Sequence, residues 1–375
     1  MIRVLAAAGL AALLTTAAPA AASERIRVAV VDGARSVELR GSDIEVTELG
    51  PCATCAAPRR TAVVRATLSA GAVELDGVRA AAGFRLQSER PMRFNGREYP
   101  ATLEIVRNGD GLALVNELPL EEYVVGVLRA EAGEKWPLEA LRAQAIVART
   151  YAAYHRTIVG TKPYHVIAST AHQQYAGRVA AASPIWGAVR ETGGQVLLWE
   201  GDLFPAFYHT ESGGYTEDPR SVFAARNMPA LKPVRCEFSA GSPHYYWVLD
   251  VRLADLTELL RKNDVSVGSV TSIEVTERTP SLRASTVTVH GTRGSARLRG
   301  NDFRRMVGYD TFKSTLFAVA VEGQTAHFSG RGYGHGVGMC QLGAKAMAEQ
   351  GYTARQILEL YYPGTVLSTL DRTAR

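Results

Sequence analysis

The chain has 375 residues, of which 46% are hydrophobic and 21% charged, with a formal net charge of +5. That length can bury a sizeable core and predicts two lobes, and the composition excludes a disordered chain. The positive excess is spread along the sequence without a dense Lys/Arg block, which argues against nucleic acid and suits a mildly anionic partner.

The start, MIRVLAAAGLAALLTTAAPAAAS, has a basic Arg3, an apolar run from Val4 to Leu14 and small residues at Ala20 to Ala22. It reads as a secretory signal peptide over 1–22, cut before Ser23. The apolar run is too short to cross a bilayer and no later stretch is long enough. The expectation is a soluble protein exported to the periplasm or cell envelope, with no transmembrane segment beyond the signal peptide. In such a compartment Cys52 and Cys55 favour a local disulfide, because one CxxC without a second pair is a weak zinc signal.

From Arg25 to about Asn116 the pattern is β. Short runs at Ile26 to Val31, Val37 to Leu39, Ile44 to Val46, Ala62 to Leu68 and Val73 to Leu75 predict strands, with Asn95-Gly96 and Asp110-Gly111 as hairpin turns. This gives an antiparallel N-terminal lobe over 23–117, followed without a linker by the remainder, 118–375. Leu120, Val124, Val127 and Leu128 recur at helical spacing and predict a helix to about Ala132, stopped by Gly133. Pro137 opens a second helix with a slim buried face of Leu138, Leu141, Ala145, Ala148 and Ala152. Arg142 and Arg149, two turns apart, project from one side of it. Glu131 lies just before the break. Taken alone, an Arg pair reads as a solvated face and a Glu at a helix end as a surface charge.

Further on, Pro184 to Thr192 predicts a helix, and Gly194 to Leu198 and Phe204 to Tyr208 predict strands. Gly213-Gly214, in YHTESGGYTEDP, permits a tight turn that would bring His209, Ser212, Thr216 and Glu217 together, either as a site or as a self-bonded polar loop. A β-containing insertion is expected over about 235–307, with a helix at Asp255 to Lys262. In GRGYGHGVGMCQLG, residues 330–343, alternating glycines imply close backbone approach or sharp turning around His335. A phosphate cradle is excluded there, since no Gly-Lys-Ser/Thr follows and no dinucleotide unit surrounds it. Ala344 to Glu349 and Ala354 to Tyr361 predict two final helices.

The run from Gly126 to Ala152, GVLRAEAGEKWPLEALRAQAIVARTYA, resembles the signature of the SpoIID/LytB family, the stage II sporulation D and amidase-enhancer proteins. It departs from that pattern mainly at Ala132-Gly133, where the family has Met-Pro. YHTESGGYTEDP resembles the family's Y-H-S-x-S-G-G-x-T-E, and GRGYGHGVGMCQLG its G-x-G-x-G-H-G-V-G-M-S-Q-x-G-A. In the segment YHVIASTAHQQYAG, His172 stands where the family often has Cys. Cys340 replaces the usual Ser, which leaves open a disulfide with Cys236 or a thiol near the cleft.

The resemblance implies an α+β fold in which the N-terminal antiparallel lobe packs on a helix-rich catalytic region carrying the insertion. It also implies a lytic transglycosylase that cleaves peptidoglycan glycan strands, or a wall-binding enhancer of a cell-wall amidase. Glu131 would be the acid, kept protonated by burial against Trp136 and small apolar side chains. One carboxyl suffices because the substrate's C6 hydroxyl serves as nucleophile, whereas a hydrolase normally needs two. Arg142 and Arg149 would clamp N-acetyl or lactyl carbonyl groups, with salt bridges to the N-terminal lobe as the alternative. His209, Ser212, Thr216, His335 and Gln341 complete the expected substrate-binding set. No cofactor is expected, with zinc on His209, His335, Cys236 and Cys340 as the alternative.

Overall fold

The computed structural model describes residues 24–50, 57–100, 102–158, 160–223 and 228–370. The signal-peptide segment and the Cys52–Cys55 pair lie outside them. Arg25–Ala34 pairs antiparallel with Gly111–Pro119, which turns back onto Thr102–Asn108. Alternate residues such as Ile26, Val28, Leu103 and Ile105 are fully buried. Among the described residues the sheet has eleven strands, with Val166–Ile167 joining one edge in parallel. The runs around Val37 and Ile44 belong to one strand, Ser36–Glu48, whose register breaks between Arg40 and Ile44 where Asp43 takes φ 57°. Asn95 and Gly96 both have positive φ, as a two-residue hairpin turn requires. The other turn falls one residue earlier than expected, on Gly109-Asp110, because Asn108 pairs with Gly111.

The helices are α1 (Leu120–Glu131), α2 (Leu138–Thr157), α3 (Ile185–Glu191), α4 (Pro219–Phe223), α5 (Leu253–Lys262), α6 (Gly300–Val307), α7 (Gln341–Glu349) and α8 (Ala354–Tyr361). α2 is buried on two sides. Leu141, Ala145, Ala148 and Ala152 enter a core shared with the N-terminal sheet and α1, while Ala143, Ile146 and Val147 enter a second core with α7 and α8. Its alanine richness follows, since larger side chains on either side would overpack a core at about 1–3 kcal/mol each. Leu138, expected on the buried face, is 43% exposed, because it stands at the first position of the helix, outside both cores.

The insertion has its own core. α5 and α6 pack on the strands Tyr246–Arg252, Val270–Arg278, Ala284–Gly291, Phe317–Glu322 and Thr325–Arg331. The boundary expected near residue 307 falls inside this core, because Phe303, Phe312, Phe317 and Phe328 pack edge to face in one cluster. The architecture is α+β, with several sheets and interspersed helices. No helix among the described residues is long and apolar enough to cross a membrane.

Candidate active site

Glu131 is the last residue of α1. The N–H groups of Ala132 and Gly133 both return to the Leu128 carbonyl, at 3.0 and 2.9 Å, and Gly133 takes φ +84°, so the helix ends there. One turn and a half earlier, Gly126 lets the segment 172–177 press onto α1. A Cβ at Gly126 would lie 2.3 Å from the Tyr175 ring, and its carbonyl accepts from Ala176 N–H at 3.1 Å. This contact delivers the Gln174 N–H to Glu131 Oε1 at 2.8 Å. From the other side, Gly338 allows the strand Met339–Cys340 to lie against Tyr208–His209, since a Cβ there would strike the Phe207 carbonyl oxygen at 1.9 Å. Gln341, the first residue of α7, is thereby aimed at Glu131 and offers its Nε2 to Oε2 at 3.4 Å.

The third donor is the Tyr208 hydroxyl. Its direction is set by a relay, in which Tyr123 donates to Gln173 Oε1 at 3.0 Å and Gln173 Nε2 donates to the Tyr208 oxygen at 3.2 Å. The Tyr208 proton is then free to point at Glu131. Burial holds the Tyr123 and Tyr208 hydroxyls well above their ordinary pKa, so both remain donors. Glu131 itself is raised above the usual carboxylate range by burial, which outweighs the opposing pull of its three donors. Its hydrogen-bond partners are amides and a phenol, with no second carboxyl among them. Such a group can hold a proton, deliver it, and take one back.

Of the other residues expected at the site, only Gln341 touches Glu131. Arg149 is a correction. It is fully buried, and its guanidinium is held by Glu121 at 2.6 and 2.8 Å and by the carbonyls of Gln195 and Val189. It knots α1, α2 and α3 together and leaves no face for a substrate. Arg142 is also corrected, as it projects to the same side and pairs with Glu139 and Glu191. Both lie on the side of α2 away from Gln144, whose Oε1 is 3.5 Å from Gln341 Nε2.

Ser212 and Thr216 are buried fold residues. The Ser212 hydroxyl accepts from Gly214 N–H and its carbonyl from Arg283 at 2.6 Å, while the Thr216 hydroxyl accepts from Val234 N–H at 2.7 Å. Glu217 is saturated by Thr279, Ser281 and the Asp218 N–H. The double-glycine turn is therefore a self-bonded loop rooted in the insertion, and its residues do not converge on Glu131. His209 is buried, with Nδ1 on the Val337 carbonyl at 3.1 Å. His335 accepts from Val337 N–H through Nδ1 and bonds the Tyr208 backbone, which fixes the glycine loop against the strand bearing Tyr208. Burial lowers the pKa of both, His335 to about 3. The four alternative zinc residues form two separate pairs, His209 with His335 and Cys236 with Cys340. Among the described residues no group of three or more His, Cys, Asp or Glu side chains is arranged around a common metal position.

The residues that sequence reasoning missed are Tyr208, Gln173, Gln174 and Gln144. A signal existed for the first two, because Gln173 directly follows His172 in the family-like segment YHVIASTAHQQYAG and Tyr208 opens YHTESGG. Surface cavities on the N-terminal sheet, about 790 Å³ around Ser42, Arg60 and Gln87, and on the insertion, about 490 Å³ around Trp247 and Leu282, do not include Glu131.

The candidate site is thus a carboxyl at the end of α1, raised by burial and bound by the segment 172–177, the strand bearing Tyr208 and the first residue of α7. Residues 108–199 match the family model described as SpoIID, stage II sporulation protein, and residues 234–338 match a domain of unknown function. The chain is 31% identical over 293 residues to the stage II sporulation protein D of Bacillus amyloliquefaciens, covering 73% of this chain and 81% of the relative. It is 30% identical over 291 residues to an uncharacterised protein of Brachyspira hyodysenteriae, covering 77% of each. It is also 32% identical over 292 residues to the amidase enhancer of Bacillus subtilis, covering 65% of this chain and 40% of that one. The chain belongs to the SpoIID family.

Proposed function

We propose that the protein is an exported peptidoglycan lytic transglycosylase with Glu131 as its single acid and base. The observation that carries this reading is the Glu131 setting, a carboxyl raised by burial yet surrounded by three donors. Protonated Glu131 gives its proton to the glycosidic oxygen between N-acetylmuramic acid and N-acetylglucosamine. The carboxylate that remains is stabilised by the Gln174 N–H, the Gln341 amide and the Tyr208 hydroxyl. It then takes the proton of the muramic acid C6 hydroxyl as that oxygen closes on C1. The 1,6-anhydro ring forms, no water is consumed, and Glu131 is returned to its starting state. With Arg142 and Arg149 committed elsewhere, substrate contact falls to the surface around Glu131 and Gln341.

The test is mass spectrometry of glycan strands digested by the pure mature chain, for which we expect products ending in 1,6-anhydro-muramic acid. Glu131→Gln keeps the shape of the side chain but has no proton to give. General acid help is worth about 10² to 10⁴ in rate, so cleavage should vanish while fold and glycan binding survive. Products one water heavier would sink the reading, as would full activity of Glu131→Gln. A second reading, a wall-binding enhancer of an amidase, is favoured by the likeness to the amidase enhancer. In that case Glu131→Gln leaves amidase stimulation unchanged.

A further inference from the structure

Cys236 and Cys340 are distant in sequence, yet their sulfurs crowd one spot at the first turn of α7. A Cβ built on Gly343 would stand 2.7 Å from Cys236 Sγ, 3.3 Å from Cys340 Sγ and 2.1 Å from the Tyr361 hydroxyl. The Ser239 hydroxyl touches both sulfurs, at 3.9 and 3.8 Å. Cys340 Sγ caps α7, accepting from Gly343 N–H at 3.3 Å, and also accepts from Ser212 N–H at 3.3 Å. Both residues are completely buried and stand as free thiols.

Their place in the chain matters as much as their contact. Cys236 follows the start of the segment 234–338 and Cys340 follows its end, so the pair marks the neck through which the insertion leaves and rejoins the fold. The next residue, Gln341, donates to Glu131.

We propose that Cys236 and Cys340 form a disulfide that staples the neck of the insertion to the first turn of α7. This rests on the reading that the chain is exported, where a disulfide donor is at hand. The thiolate of one cysteine attacks one sulfur of a donor disulfide, forming a mixed disulfide and expelling one donor thiolate. The other cysteine then attacks the Sγ of the first and expels the second donor thiolate. The two cysteine protons end on the two donor sulfurs, so the pair loses two electrons and the donor gains them. Either cysteine can be the first to attack, since the contacts that distinguish the two sulfurs in the closed neck, Tyr361 on Cys236 and the Gly343 N–H on Cys340, are not made when it is open. Exchange takes place while the neck is open, since both sulfurs are covered once it closes.

The experiment equilibrates the pure mature chain with glutathione buffers from fully reduced to mostly oxidised. Samples are quenched in acid, unfolded, alkylated and mapped by peptide mass spectrometry. The expected product under oxidising buffer is a Cys236–Cys340 cross-linked peptide. Complete alkylation of both cysteines at every poise, pairing with Cys52 or Cys55, or stoichiometric zinc held by the two thiols would each overturn the proposal. In a Cys52→Ser/Cys55→Ser background, closing this long loop should raise the thermal midpoint of the oxidised form by roughly 5–10 °C over the reduced form. Cys340→Ser keeps an acceptor for the Gly343 N–H and should make the midpoint indifferent to reductant. A midpoint still sensitive to reductant in that variant counts against the staple. A chain that forms the bond yet cleaves no glycan sinks only the transglycosylase reading, and one that cleaves without forming the bond sinks only this one.

Discussion

Arg149 shows how much one buried charge can commit a fold. A guanidinium keeps its proton, so burying it requires a carboxylate and carbonyl oxygens in fixed places, and here Glu121, Gln195 and Val189 supply them from three different elements. Arg149→Ala opens a void and strands these acceptors. Glu121 keeps 41% of its side chain in water, so the loss comes from the void and the stranded carbonyls, at about 1–3 kcal/mol for an unsatisfied buried group, and urea unfolding should show a loss of roughly that size or a little more, with any fall in activity following the loss of fold. A variant with wild-type stability and no activity would return Arg149 to the role of a substrate clamp. The two-turn spacing correctly placed Arg142 and Arg149 on one side of α2. Which side faces the site could not be read from spacing, because the deciding partner, Glu121, comes from another helix.

At the scale of elements, the strand Tyr208–His209 is short but adds one of the donors that temper the acidity of Glu131. The Tyr208 hydroxyl favours the charged carboxylate, so removing it raises the Glu131 pKa further. Tyr208→Phe should therefore shift the basic limb of the kcat/KM profile to higher pH. It should also lower the maximal rate about tenfold or more, because a hydrogen bond to a charged group is worth about 1.5–3 kcal/mol. An unmoved basic limb would remove Tyr208 from the environment of the acid. Strands with alternating side chains, such as Arg25–Ala34, and helices with apolar periodicity, such as α1 and α5, were legible in the sequence. The hydrogen-bond relay was not. Tyr123, Gln173 and Tyr208 lie on three segments whose meeting depends on Gly126 and Gly338 admitting close backbone contact, which local pattern does not encode. The phenylalanine core beyond residue 307 was missed for a related reason, because Phe312 and Phe328 find Phe303 only through the tertiary fold.

Taken whole, the molecule holds five histidines in buried or half-buried places. Burial lowers His155 and His165 to about 4 and His335 to about 3, and it lowers His172 and His209 as well. Their folded pKa values lie below the unfolded value near 6.5, so as pH falls through 6.5 the unfolded chain takes up protons that the folded chain refuses. Each such group contributes a slope of up to about 1.4 kcal/mol per pH unit, and stability is lost on acidification. Glu131 works in the opposite sense, its contribution being lost as pH rises through its raised pKa, but it is one group against five. Urea unfolding at pH 7 and pH 5 should differ by at least a few kcal/mol in favour of pH 7. Equal free energies at the two values would contradict the burial of these rings. The neck of the insertion has a further consequence, in the terms of molecular evolution. A unit that departs and returns at adjoining points is a cassette, one that can be removed or exchanged without rerouting the rest of the chain. What is not free is the turn bearing Thr279, Ser281 and Arg283, because its hydroxyls donate to Glu217 and its guanidinium props the Ser212 carbonyl on the host side. A lineage that discards the cassette must therefore also replace Glu217 or find it new partners.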